Sequence, residues 1–407
     1  MPHVQSAARR CVVRAGLLLD GTTRPPLPQP AIVIEGERIA AVLAGELPAE
    51  SDAQILDFGD AVITPGLIEC HLHLVGDPVI PTHQWCEMPA DALTEKARSH
   101  AAQALRAGVT TLRDCGGPQA LIFELRDAIA HGELQGPRIV AAGRVVTIPG
   151  GHGHFMGIET RGPQAAAETV EQLIAAGADF IKVIASGGGG TPGTYPWDSQ
   201  FSVEELAAMV QAAHRAGRRV GAHAHSVAAI RNCLDAGIDT FEHVTFITAN
   251  GPRLQPDLVR RLADAGVFVI PTIACYRNPV QAGLPKPFIQ KIGMAGMDFV
   301  ELHQSHVRQM LDAGVRLAAG TDGVQVGVGP AAVPDEARYL AEVAGSPAFG
   351  LRAATSLAAQ ALGVEADCGT VEAGKRADLL ILRRNPLEDM AALRDVAGVI
   401  KDGKLVA

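Results

Sequence analysis

The chain has 407 residues, 47% of them hydrophobic, enough to bury a large core in one domain or in two unequal ones. A formal net charge of -9 without any basic run argues against a nucleic-acid partner. The opening stretch MPHVQSAARRCVVRAG has no apolar core of secretory-leader length, and no segment has the uninterrupted apolar length of a membrane span, so the expected setting is cytoplasmic.

Before Pro65, CVVRAGLLLDG, PAIVIEGERIAAVLAG and AQILDFGDAVI read as short strands separated by turns. PGLIECHLHL then opens a different pattern. Six times a helix-like stretch ends in Ala-Gly and a β-rich run follows: RAGVTTLRD, AAGADFIKV, RAGRRVGAHAH, DAGIDTFEHV, DAGVFVIPT and DAGVRLAAGTD. Each glycine (Gly108, Gly177, Gly217, Gly237, Gly266, Gly314) suits the left-handed position that closes a helix. Ser202, with Glu205 three residues on, and Ser226 mark helix starts. With PGLIECHLHL and PRIVAAGRVV the strands number eight, which predicts an α/β fold, a (β/α)8 TIM barrel over 65–364. GTVEAGKRADLLILRRNP and GVIKDGKLVA return to short strands, so 1–64 and 365–407 together predict a small β-sandwich domain. The seven cysteines are scattered and lack C-x-x-C spacing, and are expected to be reduced thiols; Cys70 is expected to pack outward against helices.

Barrel enzymes place their chemistry at the C-terminal ends of the strands. His71 and His73 end the first strand, Lys182 lies in the fourth, His223 and His225 in the fifth, His243 in the sixth, and Asp322 ends the eighth. Alternation puts His71 with His73, and His223 with His225, on one face. Imidazoles converging with a carboxylate make an N/O site suited to Zn²⁺. Lys182, an ammonium inside the apolar run DFIKVIAS, needs compensation. A salt bridge to Asp322 or another acid, a Schiff base, or a CO2-derived carbamate would each supply it, and only the carbamate could bridge two cations.

PGLIECHLHL, FIKVIASGG, GAHAHS, EHV and GTDG, in this order, resemble the metal-binding motifs of the amidohydrolase superfamily. TLRDCGG, GGHGHFMG and IKVIASGGGG resemble its branch of imidazolonepropionase-like hydrolases, Xaa-Pro and other metal dipeptidases, and ochratoxin-type amidases. The resemblance spans nearly the whole chain. It implies two divalent ions, His71, His73 and Asp322 holding one, His223 and His243 the other, and carboxylated Lys182 bridging them. The ions would generate an attacking hydroxide, and Asp322 would shuttle its proton to the leaving amine. His225 is then a candidate for binding the scissile carbonyl. A homo-oligomer is also implied.

In GGHGHFMG the resemblance favours His154 over His152 as a substrate contact, and Tyr276 with Arg277 are a candidate clamp for a substrate carboxylate; solvated loop residues are the alternative for each. Arg113 and Asp114 are read as a loop-ordering pair at the barrel rim, and His83, His100, His131, His214, His303 and His306 as surface residues. Gly187 to Gly190 lack the Lys-Ser/Thr of a phosphate loop, and are read as permitting close approach. Trp85, Met88, Phe288, Met294 and Met297 form either an apolar substrate wall or loop packing. The expected activity is dinuclear metal-dependent cleavage of an amide to release an amino acid from a dipeptide, an N-acyl amino acid or an ochratoxin-like amide. Hydrolysis of a cyclic amide, or a non-catalytic scaffold, are the alternatives.

Overall fold

The computed structural model describes residues 10–45 and 53–407; the reading of the first nine residues and part of the 1–64 segment fall outside that range. Eight strand units run parallel around a barrel: Leu67–Leu72, Val109–Asp114, Arg138–Ala141 continuing as Val145–Thr147, Ile181–Ile184, Val220–Ser226, Thr240–Thr248, Phe268–Ile270 and Arg316–Leu317. The third breaks where Gly143 takes a left-handed backbone. Closure comes from the Cys70 amide donating to Ala319 O at 3.1 Å and a bridge between Leu72 and Gly323.

The six Ala-Gly glycines all have positive φ, which sets the length of each helix and hands the chain to the next strand. Ser202 and Glu205 form a reciprocal capping box on helix Val203–Arg215, and Ser226 caps Val227–Ala236 by accepting from the Ala229 amide. Outward strand residues such as Ile181, Val183, Ala222 and Val269 are buried against the surrounding helices. Cys70 does pack against a late helix, among Ala358, Ala359 and Ala361, but it shares that cluster with Phe268 and Ile270, which neighbour the inward Thr240 and Glu242. It therefore does not face outward as alternation suggests; a register shift between Glu69 and Leu72 breaks the alternation.

Beside the barrel lie two packed sheets. One has four strands, in the order 38–44, 30–35, 10–14, 54–57; the other has six and mixes both ends of the chain. In the second, Val62–Pro65 pairs antiparallel with Leu379–Leu382, so the segment entering the barrel lies beside one that leaves it. Val13, Ile32 and Ile34 meet Ile63, Leu379, Ile381 and Ile400 between the sheets, the apolar filling of a sandwich. No described helix is long and apolar enough to cross a membrane.

Candidate metal centre and substrate pocket

His71, His73, Lys182, His223, His225, His243 and Asp322 line one cavity of about 340 Å³. Two groups stand out on its floor, His71–His73–Asp322 and His223–His225–His243, with ligand atoms within 4.8 Å of one another in each. Asp322 Oδ1 lies 3.4 Å from His71 Nε2 and 3.5 Å from His73 Nε2. His73 Nδ1 sits 2.9 Å from Gly116 O, an atom that only accepts, so Nδ1 carries a proton. Its Nε2 lone pair would then face a carboxylate, and a proton or a metal cation must lie between them.

The rest of the donor set fits a metal as well. Nδ1 of His243 and of His225 are held by the hydroxyls of Thr272 and Thr245 at 2.7 and 2.9 Å, leaving Nε2 of each ring for another partner. His71 Nδ1 is buried with no hydrogen-bond partner. Burial first, then the Lys182 charge, pushes His71 well below the ordinary imidazole range; burial and neighbouring imidazoles do the same to His223, and burial takes His243 to about 3. Neutral imidazole is the form that ligates. His73 differs despite its similar distance to Asp322: burial opposes its charge, but the Asp322 bond outweighs it, helped by Asp114 and Gly116 O, and lifts its pKa.

Beneath the imidazoles is a buried ionic layer. Lys182 Nζ lies 2.6 Å from Glu242 Oε2, so its acidic partner is Glu242, not Asp322. Glu242 Oε1 accepts from Arg113 Nη2 at 2.9 Å, and Arg113 also donates to Cys70 O and Thr240 Oγ1. Gly221 makes room: a Cβ there would come 2.8 Å from Glu242 Oε1. Arg113 therefore is not a rim residue paired with Asp114. The strand alternation that turns it inward gives it Glu242, while Asp114 alone orders loops, accepting from the Leu74 and Gly116 amides. Glu69, two residues before His71, accepts from the amides of His71 and Thr321 and from Thr321 Oγ1. It ties the first strand to the loop carrying Asp322, and burial raises its pKa to about 8.

Left-handed backbone concentrates here in residues other than glycine: His243 at φ 71°, Val244 at 49°, Thr272 at 51°, Asp322 at 52° and Val324 at 66°. Such conformations cost roughly 1–3 kcal/mol each and persist where surrounding structure enforces them, most often at functional sites.

The expected substrate contacts divide. Tyr276 and His225 line the cavity, as do Trp85 and Phe288. Arg277 does not: its helix, Ile273–Gln281, turns it outward to pair with Glu342 and to stack 4.2 Å over Tyr339. His154 likewise lies outside the lining, partly exposed with Glu159 at 3.8 Å, and His152 takes the inward place, its Nδ1 2.8 Å from Thr191 Oγ1 and its pKa lowered to about 3 by burial and then Lys291. Met88, Met294 and Met297 are absent from the lining, and Met297 is exposed. The glycine run does permit close approach, since a Cβ on Gly188 would meet the His152 ring and one on Gly189 the Phe288 backbone. His83 also lines the cavity. His100, His303 and His306 are buried, not superficial, because each lies on the inward face of its helix; His100 binds Leu74 O and His303 binds Pro271 O.

This geometry can be set beside known proteins. Residues 62–406 match the Amidohydrolase family. The chain belongs to that family. Ochratoxinase of Aspergillus niger is 29% identical to this amidohydrolase, over 98% of this chain and 87% of the relative. A solved Xaa-Pro dipeptidase with methionine bound in its active site superposes with a TM-score of 0.85 at 28% identity, covering 98% of this chain and 99% of that one. A prolidase complexed with N-methylphosphonate-L-proline gives a TM-score of 0.87 at 27% identity, with the same coverage. The amidohydrolase is thus a hydrolase of carbon–nitrogen amide bonds, and its His/Asp groups agree with the metal ions that this family generally binds.

Proposed function

We propose that this amidohydrolase uses two divalent ions, zinc being the best match to its donors, to release a free amino acid from a dipeptide, an N-acyl amino acid or an ochratoxin-like amide. The observation that carries the reading is the meeting of two donor groups in one cavity with a buried lysine whose charge bears on members of both, His71 in one and His223 and His243 in the other. His71, His73 and Asp322 would hold one ion and His223 and His243 the second. Lys182 would bridge them after its free amine adds to CO2, forming an N–C bond and releasing a proton. Glu242 keeps a cationic partner in that state, because Arg113 stays bound to it. When bound, the ions supply an acidified water and polarise the scissile carbonyl.

Asp322 accepts the attacking water's proton on its carboxylate and delivers it to the leaving nitrogen. With the Thr245 hydroxyl donating to Nδ1, His225 keeps its proton on Nε2 and can donate it to the carbonyl oxygen as charge develops there. Burial holds the ring neutral, the form that retains this tautomer. Trp85, Phe155 and Phe288 give the cavity apolar walls suited to a bulky acyl or side-chain group. The names of the relatives agree with an amino-acid product, and the dipeptidase was solved with a free amino acid in its active site.

Protein supplied with Zn²⁺ and bicarbonate is expected to release the amino acid from at least one member of a panel of N-acyl amino acids, dipeptides and ochratoxin A, and to lose that activity on dialysis against EDTA. Chromatography of the products reads both results. Fully metallated protein that releases an amino acid from none of them would remove the reading.

A further inference from the structure

With Arg277 turned away, the cavity holds another cation that none of the steps above engages. Lys286 lines it between the seventh and eighth strand ends and is 8% exposed. Its Nζ meets only neutral partners, Cys275 Sγ at 3.0 Å and Gln325 Oε1 at 2.7 Å, and it lies 5.6 Å from the centre of the Tyr276 ring. Among the described residues it forms no ion pair, which is costly for a buried ammonium. Lys291, which also lines the cavity, is already engaged, because its Nζ donates to Gly188 O, Thr191 O and Thr194 O and so clamps the glycine-rich loop to helix Pro287–Lys291. Gly189 abuts the Phe288 backbone from the same side, so the segment carrying Lys286 is held in place.

We propose that Lys286 is the residue that selects for a carboxylate on the substrate, the role that the sequence suggests for Arg277. This rests on the proposed release of an amino acid. Cys275 Sγ touches both Lys286 Nζ and, at 3.3 Å, Asp322 Oδ2, so the ammonium sits one thiol away from the group that would protonate the leaving nitrogen. In an α-amino acid the carboxylate carbon lies within about 4 Å of the amide carbonyl carbon, two backbone bonds beyond the nitrogen. An anion attached to the leaving amine therefore falls within reach of Lys286. Gln325 Oε1 now occupies the acceptor position on Nζ, while its Nε2 donates to Asp322 O at 2.6 Å. The amide oxygen is a neutral stand-in for the substrate oxygen that would replace it.

The test compares N-acetyl-L-phenylalanine with its carboxamide on metallated wild type, Lys286→Met and Lys286→Arg. Wild type should favour the carboxylate on the order of 30-fold in kcat/KM, mostly through KM, the size expected for a hydrogen bond to a charged group. Lys286→Met should reduce the preference to within about threefold with the carboxamide rate retained, and Lys286→Arg should restore much of it. Equal losses on both substrates, or a wild type indifferent to the charge, would overturn the assignment. Should wild type cleave neither compound, the functional reading has failed on these substrates. The Lys286 assignment is then decided by quenching of tryptophan fluorescence, Trp85 being in the cavity wall. Wild type should bind the carboxylate more tightly than the carboxamide and Lys286→Met should not; absence of that difference overturns the assignment.

Discussion

Replacing Lys182 by alanine is expected to abolish metal retention and turnover together, lowering kcat/KM by at least about a thousandfold, the scale set by loss of an acidified water. The substitution removes a cationic side chain whose charge bears on both donor groups and leaves Glu242 with Arg113 alone as a cationic partner. The fold should survive, because that pair stays intact. Elemental analysis and a kinetic assay on the same preparation read the two effects. A variant that keeps both metals and its rate would strip Lys182 of the bridging role.

The second large effect is expected at Arg113. Its guanidinium and the Glu242 carboxylate are almost wholly excluded from water, and Arg113→Leu leaves a buried carboxylate with half its neutralising charge. Breaking such a pair costs about 3–5 kcal/mol, read as a lowered thermal midpoint. A functional consequence follows from the sign of the charge. With Arg113 gone, Glu242 holds the Lys182 ammonium as its sole cation, so conversion to a carbamate becomes less favourable and metal retention should require more bicarbonate. Thr240→Val, which removes a hydrogen bond from Arg113 but no charge, should leave the bicarbonate dependence unchanged. Destabilisation of Arg113→Leu with wild-type metal loading at every bicarbonate level would reduce the pair to a structural element.

The barrel is legible in the sequence because its signals are local: an apolar strand, a helix, and a glycine whose left-handed backbone closes that helix, repeated along the chain. Alternation places His71 with His73 and His223 with His225, which reach one cavity together with Lys182, whereas His243 follows the inward Glu242 and joins them through a left-handed backbone, as Asp322 does. Alternation also turns Arg113 inward, while a register shift between Glu69 and Leu72 interrupts it along the first strand, and the roles of Glu69 and Arg113 depend on which strands become neighbours. Thr321 and Glu242 complete those contacts from 252 and 129 residues away. Helical spacing carries a further signal, since Phe299, Val300, His303, Val307 and Met310 form one buried face, and that face makes His303 internal where its polarity alone suggests the surface. Loop residues are the least legible. The choice of His152 over His154 depends on a left-handed turn at Gly153, and that of Lys286 over Arg277 on the direction in which a short helix presents its side chains.

The most direct test is a crystal structure of zinc- and bicarbonate-loaded protein with anomalous data at the zinc edge. Two peaks roughly 3.5–4 Å apart are expected, one beside His71, His73 and Asp322 and one beside His223 and His243, with carboxylate-shaped density extending from Lys182 Nζ to both. An unmodified Lys182 ammonium still bonded to Glu242, with one peak or none in crystals of fully active enzyme, would contradict it.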